Sequence, residues 1–271
     1  MVYHRAIEQN FNKHFMIYHV MIKYWSIIKT MKSNVFCTEG ETMKKIFPEE
    51  IIESHDAQAV NFREIRMGNI APKTLYRSSH PIKDNKQETM VSLLASGARI
   101  AAVLNLCDTE PEIYKKAFFA PWYNKLIGSN RVIALGMDFD HTSAAFRKKL
   151  KNGLRFIIDT TGPWLIHCQA GVDRTGFFSM ALEALMSATI DEITNDYLQS
   201  FNSIFDSSIH KEVNKSDSLV VMKLLSVMSS NIAITDENIQ AIAEKYLRDT
   251  IRLSAKDLDL LKNKLAGRVS A

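Results

Sequence analysis

Chemistry can start at a cysteine and an arginine separated by five residues, Cys168 and Arg174, in the run His167-Cys168-Gln169-Ala170-Gly171-Val172-Asp173-Arg174-Thr175-Gly176. A thiolate is a good nucleophile, and a planar guanidinium matches two oxygens of a phosphoryl group. Thr175 follows directly, and its hydroxyl can donate a hydrogen bond to the sulfur, easing its departure in a second, hydrolytic step. A nucleophile, an oxyanion clamp and a leaving-group aid thus stand within eight residues. The reaction class that fits is phosphoryl transfer through a cysteinyl-phosphate.

Such groups need elements that aim them. Trp164-Leu165-Ile166 is an apolar run that reads as a short buried strand, and Gly176 to Met186 is apolar nearly all round, as a buried helix is. Strand, tight loop and helix N-terminus make an anion cradle. The backbone N–H groups of Gln169, Ala170, Gly171, Val172, Asp173 and Arg174 are its expected phosphate contacts, and the helix dipole adds positive potential. Gly171 lets the loop backbone come close to a ligand. A sulfur at the foot of this cradle, beside a guanidinium, is expected to ionise readily.

His167-Cys168-x5-Arg174-Thr175 resembles the signature of the cysteine-dependent protein tyrosine phosphatases. The fuller pattern His-Cys-x-Ala-Gly-x-Asp-Arg-Thr-Gly is most similar to the bacterial branch that includes dual protein and phosphoinositide phosphatases. Asn61-Phe62-Arg63-Glu64-Ile65 and Leu75-Tyr76-Arg77-Ser78-Ser79 resemble elements near the start of the same family. Asp196-Tyr197-Leu198, Tyr246-Leu247-Arg248, Ser254 and Leu258 to Leu265 resemble its C-terminal helices, so the likeness runs from Asn61 to Leu265. It implies catalysis without a metal or cofactor, with Cys168 as nucleophile and Arg174 as oxyanion clamp. It also implies an aspartic acid that protonates the leaving oxygen, on a loop roughly thirty residues before the cysteine, after a strand and before a helix.

Asp140 and Asp138 both lie at that distance in Met137-Asp138-Phe139-Asp140-His141-Thr142-Ser143. Asp140-His141 resembles the Asp-His pair of many such loops, which favours Asp140; the Trp-Pro that precedes the acid in many relatives is missing. Asp173 is a third candidate, since the branch shares an acid directly before the signature arginine. Where relatives often carry Asp-Leu-Arg, this chain has Asn105-Leu106-Cys107, and no polar role is expected of that strand end. Cys107 reads as a bland buried thiol, with redox pairing to Cys168 as the lesser alternative. Arg63 and Arg77 either extend the positive field of the pocket or serve as structural hydrogen-bond donors, and are not counted as catalytic.

The chain has 271 residues, 46% hydrophobic and 24% charged, with a formal net charge of +4. That mildly basic balance suits an anionic substrate, and without a dense Lys/Arg stripe it does not point to nucleic acid. Three cysteines, Cys37, Cys107 and Cys168, make neither a disulfide framework nor a metal pattern and fit a reducing compartment. No apolar run approaches the ~18 residues of a membrane span. Met16 to Ile22 is interrupted by His19 and ended by Lys23, so no cleaved signal is expected; the protein is read as cytoplasmic, or exported without one.

Residues 1–45 are expected to be peripheral, an amphipathic helix with Phe11, Phe15, Tyr18, Ile22 and Trp25 on one face, packed on the outside of the domain. Contact with a membrane surface is the lesser reading of that face. Residues 46–271 read as one phosphatase domain. Within it the pattern predicts a helix over 84–96 with Asp84 as N-cap and Gly97 as stop, strands over 100–106 and 131–137, and a helix whose inner face is Phe146, Leu150, Leu154, Ile157 and Ile158. Gly162-Pro163 turns into the cysteine strand. Later helices follow with apolar faces at Ile190, Ile193, Tyr197 and Phe201 and at Leu219 to Val227, one starting at Thr235-Asp236-Glu237, and one starting at a Ser254-x-x-Asp257 capping box and ending at Gly267. The expected fold is α/β: a central, mostly parallel sheet of about four or five strands flanked by helices, with a helical C-terminal portion.

The expected substrate is phosphotyrosine in proteins. A phosphoinositide or inositol-polyphosphate phosphatase is the alternative. Relatives active on lipids often carry a lysine directly before the Asp-Arg pair; here Val172 stands there, and the loop's one variable charge, Asp173, repels a polyanion. A phosphotyrosine-binding module without turnover is the alternative of another class; it has no need of a thiolate that repels phosphate.

Overall fold

The computed structural model describes residues 60–82, 86–117, 120–204, 215–230 and 232–268. The N-terminal helix expected within residues 1–45 and the Asp84 cap lie outside them.

Strand β5 (Trp164–His167) runs through the middle of a five-stranded sheet. On one side it pairs in parallel with β2 (Leu75–Ser78), which pairs antiparallel with β1 (Arg63–Glu64). On the other side lie β3 (Ala102–Asn105) and then β4 (Val132–Ala134), both parallel, so the order is β1-β2-β5-β3-β4. The three inner strands β2, β5 and β3 are buried along their length because both faces are covered. Leu75, Ala102, Leu104, Trp164 and Ile166 enter one core, and Tyr76, Val103 and Leu165 enter the other. Alternate residues of a strand point to opposite faces, which is why neighbours in sequence part company here.

The smaller core is covered by α1 (Lys86–Gly97), α2 (Glu110–Lys116) and α3 (Pro121–Gly128), through Val91, Leu94, Ile113 and Tyr123. The larger one receives α4 (Ala144–Asp159), whose buried face is the expected Phe146, Leu150, Leu154, Ile157 and Ile158, with Ser143 accepting from the Phe146 N–H as N-cap. Helix α5 (Asp173–Leu185) is buried from Thr175 to Leu185, which explains its lack of a polar face. Around it stand α6 (Ile190–Ile204), α7 (Lys215–Ser229), α8 (Ile239–Lys245), a π-helical turn over Tyr246–Thr250, and α9 (Ala255–Leu265). The Ser254/Asp257 capping box forms, and Gly267 takes a left-handed φ of 66° just past the end of α9.

Several expectations shift. Gly97 is the last helical residue of α1, and Arg99 makes the left-handed turn after it, φ 54°, while the Ile100 N–H reaches the Ala95 carbonyl. The strand expected over 131–137 pairs only at Val132–Ala134. In α7 the inward residues are Val221, Leu225 and Met228, and Leu219 and Val220 are exposed. Helix α8 starts at Ile239 rather than at Thr235-Asp236-Glu237, and Asp236 instead accepts the Ile190 N–H at the start of α6. Among the described residues no helix is long and apolar enough to cross a membrane.

In this topology the chain leaves β2, β3, β4 and β5 at one edge of the sheet. The segments after those strands, around His80, Asp108, Met137 and Cys168, therefore converge, as expected for a ligand site in an open parallel sheet.

Candidate active site

Cys168 sits directly after the central strand and is 2% exposed. The loop that follows has its carbonyls tied outward to both neighbours. The Gln169 carbonyl accepts from the His80 N–H at 3.2 Å, and the Ala170 and Gly171 carbonyls accept from the Asn61 amide at 3.2 and 3.1 Å. Arg77 adds a 2.8 Å bond to the Gly171 carbonyl. In a trans peptide the N–H points opposite its carbonyl, so the N–H groups of Ala170, Gly171 and Val172 turn away from these partners. Among the described residues the N–H groups of Gln169 to Asp173 have no protein acceptor. Gly171 has φ 74°, and a Cβ on it would lie 2.4 Å from the Ser78 carbonyl oxygen. The loop is pressed against β2 more closely than a side chain allows.

Val172, at the position where relatives active on lipids often carry a lysine, is 4% exposed and packs in the larger core, so only its backbone is available to a ligand. Gln169 and Asp173 are the exposed positions of the loop. Asp173 opens α5, where a carboxylate suits the dipole. Thr175 is fully buried, and its hydroxyl has no hydrogen-bond partner among the described residues. Gly176 is small because the Tyr197 ring of α6 packs there: a Cβ would lie 2.5 Å from Tyr197 Cε2.

Arg174 is half-buried and bridges to the acid loop. Its Nη1 donates to the Met137 carbonyl at 3.1 Å, and its guanidinium carbon lies 4.4 Å from the centre of the Phe139 ring. That ring is 60% exposed. Asp138 and Asp140 are exposed on the same loop. Asp138 accepts the Asp140 N–H at 3.1 Å, and Asp140 accepts from the Thr142 N–H and hydroxyl at 3.0 and 2.6 Å. Those bonds from Thr142 hold the Asp140 carboxyl below the usual carboxylate range. In this arrangement Asp140 is ionised at neutral pH, so donating a proton requires the loop to release Thr142. Between the loops, the His141 ring packs on Phe177 and Phe146 at 4.4 and 4.8 Å. Burial lowers its pKa, against the pull of nearby Asp173, Asp140 and Asp138.

Behind Cys168, on the β3 side, a polar network occupies the strand end from which none was expected. Asn105 is fully buried; its amide donates to Asp108 at 3.0 Å and to the Tyr123 hydroxyl at 3.2 Å, and its oxygen accepts the Asp108 N–H at 2.9 Å. Tyr123 in turn meets His167 Nε2 at 3.1 Å, and His80 Nε2 meets Asp108 at 2.6 Å. Burial opposes the Asp108 charge, but bonds from His80, Lys116 and Asn105 outweigh it and hold the carboxyl well below its usual range. Burial keeps His167 neutral and pushes the Tyr123 hydroxyl well up. His80, Cys107 and His167 bring ligand-type atoms within 4.8 Å of one another. Their ring nitrogens are already engaged: His80 Nδ1 accepts the Ile82 N–H at 3.2 Å, and His167 Nδ1 lies 3.4 Å from the Cys168 carbonyl. The Cys107 thiol is pushed up to about 12, by burial first and then by Asp108 and Cys168.

Of the two readings of Arg77, the structure shows the structural one, a hydrogen bond to a nearby loop; Asn61, Asn105, Asp108, Tyr123 and Asp196 were not singled out from the sequence as site-shaping residues. One signal was present: Arg77 and Asn105 are polar residues inside otherwise apolar strands, which demands buried partners.

The model of the tyrosine phosphatase family matches residues 57–267. The chain belongs to the tyrosine phosphatase family. It is a cysteine-dependent phosphatase. Comparison with curated protein sequences gave no match. Among solved structures, this phosphatase is similar to the core catalytic domain of the PP-IP phosphatase SIW14 from S. cerevisiae in complex with citrate, at 20% identity and TM-score 0.38, covering 68% of this chain and 91% of that one. A second structure, of the Siw14 catalytic core, matches at 18% identity and TM-score 0.38, covering 69% and 91%.

Proposed function

We propose that this phosphatase hydrolyses phosphotyrosine in proteins, with Cys168, Arg174 and Asp140 as its catalytic residues. The Cys168 sulfur attacks phosphorus as the bond to the leaving oxygen breaks. The N–H groups of Gln169, Ala170, Gly171, Val172, Asp173 and Arg174, with the Arg174 guanidinium, hold the equatorial oxygens. Asp140 gives its proton to the leaving phenolate. It then takes a proton from water as water attacks phosphorus, and the sulfur departs as thiolate, eased by the Thr175 hydroxyl.

The observation that carries this reading is the set of loop carbonyls drawn outward around a buried cysteine, which leaves the N–H groups for an anion. Substrate choice follows from the exposed groups nearby. Asp138, Asp140 and Asp173 are exposed and each acts electrostatically on His141, and this negative charge opposes a ring bearing several phosphates. The exposed Phe139 ring beside Arg174 offers an aromatic surface to a phenyl phosphate.

Turnover of a chromogenic aryl phosphate by wild type and by Cys168→Ser tests the mechanism. Wild-type activity that vanishes in the variant is expected. Activity persisting in the variant excludes the covalent route, and none in either leaves a phosphotyrosine-binding module. A panel of phosphotyrosine peptides, phosphoserine peptides, phosphoinositides and inositol hexakisphosphate tests the substrate; faster hydrolysis of an inositol phosphate overturns the phosphotyrosine assignment.

A further inference from the structure

A buried ionic cluster stands directly behind the phosphate loop. Arg77 is fully buried at the end of β2. It forms an ion pair with Asp196 of α6, and its other terminal nitrogen donates to the Gly171 carbonyl at 2.8 Å. Arg63 of β1 reaches the same carboxylate at 2.9 Å through Nε and also bonds Ser200 at 2.9 Å. Arg63 also contacts the side-chain oxygen of Asn61, whose amide nitrogen holds the Ala170 and Gly171 carbonyls. Asp196 therefore fixes two guanidinium groups, and one of them, together with Asn61, fixes the loop.

Burying such a cluster is expensive, and well-packed apolar side chains of the same volume are often as stabilising. Its worth is in direction. A guanidinium locked by a carboxylate on one side offers N–H donors in a fixed plane on the other, and a carbonyl bound there cannot swing inward. Burial, and then Asp196 beside it, pushes the Glu183 carboxyl well above its usual range. Burial lowers Arg63 only to about 10, so it remains charged at neutral pH. Two guanidinium groups thus share the single Asp196 carboxylate behind the loop.

We infer that Arg77, aimed by Asp196, is a positioning residue of this phosphatase: with Asn61 it draws the loop carbonyls outward and so aims the loop N–H groups at the phosphoryl oxygens. The inference rests on the phosphate-loop reading above, and its test separates the two.

Tungstate, an oxyanion that binds without turnover, is titrated calorimetrically into wild type, Asp196→Asn, Asn61→Leu, Arg77→Met, Arg77→Lys and Ser200→Ala. Kinetics with an aryl phosphate and thermal unfolding are recorded alongside. Loss of a fixed donor set for a charged ligand weakens tungstate about tenfold or more in Asp196→Asn and Asn61→Leu and lowers kcat similarly. Arg77→Lys retains more affinity than Arg77→Met. Ser200→Ala, which cuts only a bond of Arg63 that does not reach the loop, behaves as wild type. If Asp196→Asn fails to fold, Asn61→Leu, which removes no ion pair, decides. Folded variants that bind tungstate as wild type does overturn the inference, as does a wild type that binds none. A wild type that binds tungstate but turns nothing over refutes the hydrolase reading and leaves the positioning role standing.

Discussion

From Ala170 to Gly171 the phosphate loop is held by residues 109, 110 and 94 positions away in sequence, Asn61 and Arg77, whereas from Met137 to Ser143 the acid loop is tied mainly to itself. Asp138 bonds the residue two along, Asp140 bonds Thr142, and the Ser143 N–H returns to the Asp140 carbonyl. The first kind of support resists motion because several elements must move together. The second can rearrange by exchanging one local bond for another. A transition state needs both: donors fixed before the substrate arrives, and a proton donor that comes in afterwards. Arg174 is where they meet, rooted in the first turn of α5 and bonded to Met137 in the other loop.

The contrast breaks most visibly at Gly171. Gly171→Ala places a methyl group where Ser78 O already lies and asks an L-residue to hold φ 74°. A fall in kcat/KM of about a hundredfold or more is expected, from loop geometry alone, in a protein that circular dichroism shows still folded. Wild-type kinetics in that variant show the loop to be as adaptable as its neighbour.

Asp140→Asn probes the adaptable side. With a poor leaving group such as an alkyl phosphate, kcat should drop about a hundredfold, and with nitrophenyl phosphate much less, because nitrophenolate departs without a proton. Asp138→Asn should show no such dependence on the leaving group. If the two exchange roles, Asp138 is the acid, and if neither matters, Asp173 or water is.

The smallest effect is on stability. Burial depresses the pKa of His167 behind the phosphate loop and, less deeply buried, of His141 within the acid loop. Below about pH 6.5 the unfolded chain binds protons that these folded rings refuse, so stability is present above that pH and declines as pH falls. Asp196 and Asp108, both held ionised in the fold, add a second decline below about pH 4. Urea midpoints between pH 7.5 and 3.5 record both steps. A midpoint that stays level down to pH 5 shows that neither ring is shielded.

Local patterns carried the reading of the sequence furthest. The loop from Cys168 to Arg174, the inner face of α4 and the Ser254/Asp257 box each lie within one short stretch, so spacing alone exposes them. Arg77 stayed between two readings and its partner Asp196 escaped, because an ion pair between a strand and a distant helix has no period and only the tertiary fold brings the two together. Asn105 was discounted for the residue it replaces, although a buried amide bonded to the Asp108 carboxylate, the Tyr123 hydroxyl and the Asp108 N–H is a polar centre of its own kind. Asp236 misled for the opposite reason. Acids at a helix start suit the nearest helix by rule, and this one serves a helix more than forty residues earlier.

Because the parallel strands all discharge toward Cys168, the opposite rim of the sheet lies away from the proposed site of reaction. There the chain reverses at the exposed, left-handed Lys73 and Asn130. A fluorophore or affinity tag grafted at Asn130 would therefore ride on the molecule as a passenger, reporting on it without touching its turnover.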